Sequence, residues 1–186
     1  MKLKLDLHTH CYVALCFSEP NPETVYKIIE AVKARGLDGI AITDHSNKSF
    51  GYKVKEVVER YFDSEILIIP GQEIDEWPVE IVELYLPNNT TFRFLAHPGL
   101  PGDFIGSIEN IHNLHGIEIE NAGHNWHMDK QKISEIAERH NLLLLSNSDA
   151  HYLDDIGKFY NEISLEQLWN RAKVKQDNNG DSNIRK

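Results

Sequence analysis

Short apolar runs, set apart by stretches with helical spacing, limit this chain to few folds. GIAIT (Gly39–Thr43), ILIIP (Ile66–Pro70) and LLLLS (Leu142–Ser146) are nearly all apolar, and KLKLDL (Lys2–Leu7) alternates. Runs this short suit strands, and the three continuous ones suit strands buried on both faces. Between them, Asn21-Pro22-Glu23 marks a helix start, with Asn as the cap, Pro at the first helical position and an acid in the first turn. Val25, Ile28, Ile29 and Val32 follow as an apolar stripe, and Gly36 is a natural stop. Val54, Val57, Val58 and Tyr61 predict a second helix, Asp129–His140 a third and Leu165–Ala172 a last one, with a further helical stretch over 103–113. VEIVELYL and TFRFLA flank Pro87-Asn88-Asn89 and read as a strand pair with a tight turn; GIEIEN reads as another strand. Strands alternating with helices predict an α/β fold with largely parallel strands, as a barrel or an open sheet. One domain is expected over 1–175, followed by a polar, disordered tail over 176–186.

Nearly every buried-looking run ends in a histidine or an acid. His8 and His10 end the first, His45 the second, and Glu73 follows the third. His97 follows TFRFLA, Glu118 and Glu120 lie in GIEIEN with His124 and His127 just after, and Asp149 and His151 follow LLLLS. In a parallel α/β barrel such positions gather at one rim, where these folds carry their sites. Imidazole with carboxylate suits Zn²⁺, Mn²⁺ or Fe²⁺. Glu73 and Asp149 can bridge, so two or three divalent metals per chain are expected. The strand period puts Asp6 on one face with His8 and His10, in a buried role holding an imidazole tautomer. Asp44 is expected to cap or orient, Cys11 and Trp126 to pack, Arg93 to form an internal ion pair, and Lys48, Lys53 and Lys158 to lie on the surface. His112, His115 and His140 are read as structural or exposed.

At 186 residues, with 41% hydrophobic and 26% charged side chains, the composition is that of a soluble globular protein. The net charge of −10 speaks against adhesion to phosphate backbones, and so against a DNA-binding module. The two cysteines lack Cys-x-x-Cys spacing, and neither a signal peptide nor a membrane-length apolar run is evident, so a cytoplasmic location is expected.

DLHTH, AITDH, GQEI, AHPG, IEIEN and SDAH, in this order from Asp6 to His151, resemble the motifs of the polymerase and histidinol phosphatase (PHP) superfamily. The resemblance implies a distorted (β/α)7 barrel with a trinuclear metal site, in members that hydrolyse phosphoesters. Matched motif by motif, the implied ligands are His8, His10, His45, Glu73, His97, Asp149 and His151. Two family positions match less closely. The acid that follows the HxH pair is matched by Glu19, displaced by CYVALCF. The histidine that follows IEIEN is matched by His124 or His127, with Glu118 as a third option.

These readings lead to a metal-dependent phosphoesterase in which metal-bound hydroxide attacks phosphorus. Asp149 serves it as a bridging carboxylate, and His97 or His151 protonates the leaving oxygen. The expected substrate is a small phosphorylated metabolite, a nucleotide or an oligonucleotide end, with no long nucleic acid and no membrane. The alternatives are a hydrolase of the amidohydrolase or TatD kind, whose barrels also open with HxH, and a non-catalytic metal-stabilised module.

Overall fold

Ile40 and Ile42 face one way along their strand and Ala41 the other, and this alternation organises the molecule. The computed structural model describes residues 1–99, 111 and 113–180, with 174–180 as backbone only. Strand β1 (Leu3–Asp6) leads through a single helical turn, α1 (Cys11–Ala14), to helix α2 (Pro22–Ala34) and strand β2 (Gly39–Ile42). Helix α3 (Lys48–Tyr61) precedes strands β3 (Leu67–Glu76), β4 (Val79–Leu86) and β5 (Thr90–Leu95). Strand β6 (Gly116–Asn121), helix α4 (Lys130–His140), strand β7 (Leu143–Asn147), strand β8 (Asn161–Ile163) and helix α5 (Leu165–Gly180) complete the chain. The eight strands form one sheet in the order β7-β6-β5-β4-β3-β2-β1-β8.

The predicted barrel is present, with two features that strand–helix alternation did not suggest. First, β3, β4 and β5 form an antiparallel meander, in which Gly71 opposes Leu84 and Ile81 opposes Leu95; β4 and β5 are the strand pair expected from the sequence. Second, an eighth strand joins the seven: β8 runs antiparallel to β1, pairing Leu3 with Ile163 and Leu5 with Asn161. The other pairings, β1–β2, β2–β3, β5–β6 and β6–β7, are parallel. Gly71 is required by close approach: a Cβ there would lie 2.5 Å from the Glu83 carbonyl oxygen.

Each strand face has its own core. Ile40, Ile42 and Ile68 pack outward against Val25, Ile28, Ile29 and Val32 of α2 and Phe50, Val54 and Val58 of α3. Leu5, Leu7, Ala41, Ile69, Val82, Leu84, Phe92 and Phe94 fill the interior, with Leu168 and Ala172 of α5 packed into the same cluster. Ile81, Leu95 and Ile117 pack against Ile133, Ile136 and Ala137 of α4. The Asn21 side chain caps α2 by accepting from the Glu23 and Thr24 amides, as its sequence predicted. The stretch predicted helical over 103–113 lies largely outside the described residues, as does His112. Helix α5 runs beyond Ala172 to Gly180, and residues 181–186 lie outside the description.

Side chains complete the barrel where ladder bonds stop. Asn161 accepts from the Ser146 amide and donates to the Ser146 carbonyl, both at 2.9 Å, imitating a strand partner between β8 and β7. Its Nδ2 also donates to Asn147 Oδ1 at 2.8 Å, an oxygen that takes the Leu7 amide at 3.0 Å. Asp6 is fully buried and accepts from the Ser148 and Gly157 amides, the Ser148 hydroxyl and the His8 amide. This corrects the sequence expectation: Asp6 ties backbone segments together and holds no imidazole. The alternation that would place it beside His8 ends with the strand at Asp6.

Asn161→Ala strands a backbone donor and acceptor at this closure and should cost about 2 kcal/mol, lowering Tm by roughly 4–8 °C in a chain of this size. A thermal melt within about 1 °C of the parent would rule out that role for Asn161.

Candidate metal centre

Past the regular strands, the rim is continued by single bridges. Thr9 bridges Ala150, and His45 bridges Glu73, each in parallel sense. The Thr43 amide donates to the Thr9 carbonyl at 2.8 Å, the Glu73 amide to the Thr43 carbonyl at 2.9 Å and the Asp149 amide to the His8 carbonyl at 2.9 Å. Local hydrogen bonding thus brings His8, His10, His45, Glu73 and Asp149 to one end of the barrel. His97 joins them from the end of β5, His124 from the segment after β6 and His151 from that after β7.

Two carboxylates organise the cluster, each facing histidines through both oxygens. Glu73 Oε1 lies 3.4 Å from His8 Nε2 and 3.1 Å from His97 Nε2, while Oε2 lies 3.3 Å from His10 Nε2 and 3.2 Å from His45 Nδ1. Asp149 Oδ1 lies 3.0 Å from His10 Nε2 and 3.6 Å from His8 Nε2, and its Oδ2 lies 3.4 Å from His124 Nε2. His151 Nδ1 is 3.0 Å from the Asp149 carbonyl oxygen, and its ring stacks on His10 at 4.3 Å between centroids. The donor atoms group as His8, His10 and Asp149; as His97, His124 and Asp149; as His10, His45 and His151; and as His45, Glu73 and Glu80.

A buried carboxylate behind the histidines fixes their orientation. Glu118 is fully buried and accepts from His8 Nδ1 at 3.0 Å, the His97 amide at 2.8 Å, Asn121 Nδ2 at 2.9 Å and Asn147 Nδ2 at 2.8 Å. Burial pushes its carboxyl up, but the His8 imidazole and these donors hold it below the ordinary carboxylate range. An ionised carboxylate only accepts, so His8 donates through Nδ1, and in the neutral form that metal ligation needs its lone pair lies on Nε2, the atom that faces Glu73, Asp149 and His10.

Three observations fit the cluster to divalent metal ions. A tetrahedral ion with bonds of about 2.1 Å holds its donors roughly 3.4 Å apart, and the contacts of His8 and His10 Nε2 with each other and with the Glu73 and Asp149 oxygens are 3.0–3.6 Å. Asp149 Oδ1 is buried and has no well-aligned hydrogen-bond donor among the described residues, which a cation would remedy. His97 and Asp149 have φ of 23° and 54°, a left-handed backbone uncommon outside glycine. Such strain persists where its surroundings over-determine it, as the Glu118 bond to the His97 amide does here.

Of the sequence candidates, the structure brings together His8, His10, His45, Glu73, His97, His124, Asp149 and His151. Glu19 is not among them: its side chain is 71% exposed and pairs with Lys53 at 2.8 Å. The cause is α1, into which CYVA coils while the Asp44 carboxylate accepts from the Tyr12 and Val13 amides, so the chain turns away before Glu19. His127 is not among them either; its Nε2 lies 3.4 Å from the His97 carbonyl, and its ring edge meets His124 and Trp126. Trp126 was expected to pack and is 76% exposed. Cys11 is buried, and Arg93 pairs with Glu76 and Glu83 inside the meander, both as expected. Glu80 was missed. It begins an alternating row whose next members, Val82 and Leu84, face the barrel interior, and an acid heading such a row was the available signal.

Burial disfavours charge on His8, His10 and His97, but Asp149, Glu73 and Glu118 outweigh it and raise all three above the ordinary 6.5. The same imidazoles hold Glu73 and Asp149 below the carboxylate range against the effect of burial. Metal ligation needs neutral imidazoles, so ion uptake near pH 7 should release protons and affinity should rise with pH through this range. Titration calorimetry of Mn²⁺ into chelator-treated protein, in buffers of different ionisation enthalpy, measures that release; proton uptake would contradict this charge arrangement. Glu118→Gln frees the His8 tautomer and should weaken metal affinity about 10–100-fold in the same titration.

Among curated proteins no sequence relative matches the chain. A candidate metal-dependent phosphoesterase from Bifidobacterium adolescentis superposes with a TM-score of 0.68 at 14% identity, covering 90% of this chain and 96% of that one. PsfC from Pseudomonas syringae superposes with a TM-score of 0.64 at 14% identity, over 90% and 88%. An amidohydrolase from Chromobacterium violaceum, with bound sulfate and no metal, gives 0.64 at 16% identity, over 92% and 96%. At these identities the likeness is one of fold. The PHP domain model matches residues 6–179, nearly the whole chain and every motif from DLHTH to SDAH, and the protein belongs to the PHP domain family.

Proposed function

We propose that this metal-dependent hydrolase of the PHP family is a phosphoesterase with two or three divalent ions at the barrel rim. One observation carries the reading: Glu73 and Asp149 each direct their two oxygens at different histidines. This is how carboxylates shared between adjacent ions are arranged, and paired ions suit in-line displacement at phosphorus. His8, His10, His97, His124, Glu73 and Asp149 would hold two ions, with His45 and His151 beside them. When bound, such ions supply Lewis acidity and lower the pKa of water to near neutrality.

The chain's own groups supply the rest. His151 is partly exposed at the mouth, and the Asp149 carbonyl takes its Nδ1 hydrogen, so its imidazolium form would give the Nε2 proton to the leaving oxygen and keep the one on Nδ1. His97, the other candidate for that role, is nearly buried between Glu73 and Glu80, and as a metal ligand it would have no proton to give. The surroundings favour a compact ester over a polymer. Lys53, Lys130 and Lys158 are each paired with an acid, and the net charge is −10, so no basic track for a polyanion is evident among the described residues. The substrate class is a small phosphorylated metabolite, a nucleotide or an oligonucleotide end.

The test is metal content with turnover of p-nitrophenyl phosphate and bis-p-nitrophenyl phosphate, before and after chelation. Two or three metals per chain and turnover lost on chelation are expected, and the preferred ester separates monoesterase from diesterase. Asp149→Asn should lower turnover by about 10²–10³-fold or more while the circular dichroism spectrum is kept. Hydrolysis of an amide or lactone panel with none of the esters would favour the amidohydrolase reading, and metals without any turnover the non-catalytic module.

A further inference from the structure

Glu80 is the acid at the rim that neither the motifs nor the two-ion core uses. It lies on β4, one step diagonally from Glu73 on β3, because Glu73 opposes Val82 and Asp75 opposes Glu80 in the ladder. Its side chain is 29% exposed, and its Oε2 comes 3.4 Å from His97 Nε2. That nitrogen already has Glu73 Oε1 at 3.1 Å and carries at most one hydrogen, so it can donate to only one of the two carboxylates. Across the strand pair Glu80 faces Asp75, and like charges directly opposite repel. Glu80 is a partly buried acid close to two others, Glu73 and Asp75, and a cation among them would relieve the repulsion. Its own donors indicate where: the ligand atoms of His45, Glu73 and Glu80 lie within 4.8 Å of one another.

We propose that Glu80 is a metal ligand, holding with His45 and Glu73 a further divalent ion at the solvent side of the centre. This rests on the metal-centre reading above. His45 is 54% exposed, so the position opens towards solvent and leaves sites for water or for a substrate oxygen. Two carboxylates to one imidazole make it the most oxygen-rich grouping of the cluster, and it favours Mn²⁺ over softer ions. Glu80 thereby supplies from the meander the carboxylate that Glu19, held by Lys53, does not.

The experiment is Mn²⁺ uptake by chelator-treated protein, followed by titration calorimetry and by the electron paramagnetic resonance signal of free Mn²⁺. The proteins compared are the parent, Glu80→Gln, Glu80→Ala and Glu19→Gln. Both Glu80 variants should lose one equivalent of Mn²⁺ or bind it at least about 10-fold more weakly, and Glu19→Gln should match the parent. Melting temperatures with and without Mn²⁺ separate binding from folding: the metal-free Glu80→Gln protein should melt with the parent, and its Mn²⁺-induced rise should be smaller. Glu80 variants with the parent's stoichiometry and affinity would overturn the proposal and leave the two-ion core standing. A parent protein that takes up no Mn²⁺ or Zn²⁺ would overturn the metal centre itself.

Discussion

The Glu118 carboxylate is the contact on which the site depends. Its four donors come from the end of β1, the turn after β5, β6 itself and the end of β7, so one buried charge joins four parts of the barrel. A carboxylate at this depth is stable only if nearly every lone pair is used, and here they are. The arrangement selects the His8 tautomer and anchors His97 in a left-handed backbone. Asn121, which donates to Glu118, also reaches Asp149 Oδ2 at 3.3 Å, linking the supporting carboxylate to the candidate bridging one.

Around this anchor the molecule departs from the pattern that makes the rest of it stable. Elsewhere, apolar side chains alternate between barrel interior and helix-facing surface. At the rim, acids and imidazoles lie 3.0–3.9 Å apart, Asp149 Oδ1 has no well-aligned donor among the described residues, and Ser46, His97 and Asp149 adopt positive φ. Local rules are broken together at this rim, and a bound cation would compensate for them.

Much of the site was legible in the sequence because its residues follow strands. His8, His10, His45, His97 and Asp149 each come within a few residues of a run whose burial is plain from composition, and a parallel fold carries such ends to one rim. Glu118 was visible but misplaced: its position in a buried strand marked it as important without telling whether it met a metal or an imidazole. Glu19 failed because α1 forms through a cap from Asp44, more than thirty residues away in sequence. Glu80 was hidden in a strand of the antiparallel meander, which strand–helix alternation did not bring to the site.

The sequence alone determined the elements and the chemistry available at their ends, since caps, apolar stripes and strand alternation depend on residues a few positions apart. Only the tertiary structure decided which donors meet and which stand behind them. The bonds responsible span most of the chain: Leu7 to Asn147, Asp6 to Gly157, His8 to Glu118 and Asn161 to Leu5. A local pattern shows that a buried polar group needs a partner. Which partner it finds depends on how the sheet closes, and that closure exists only once all eight strands are in place.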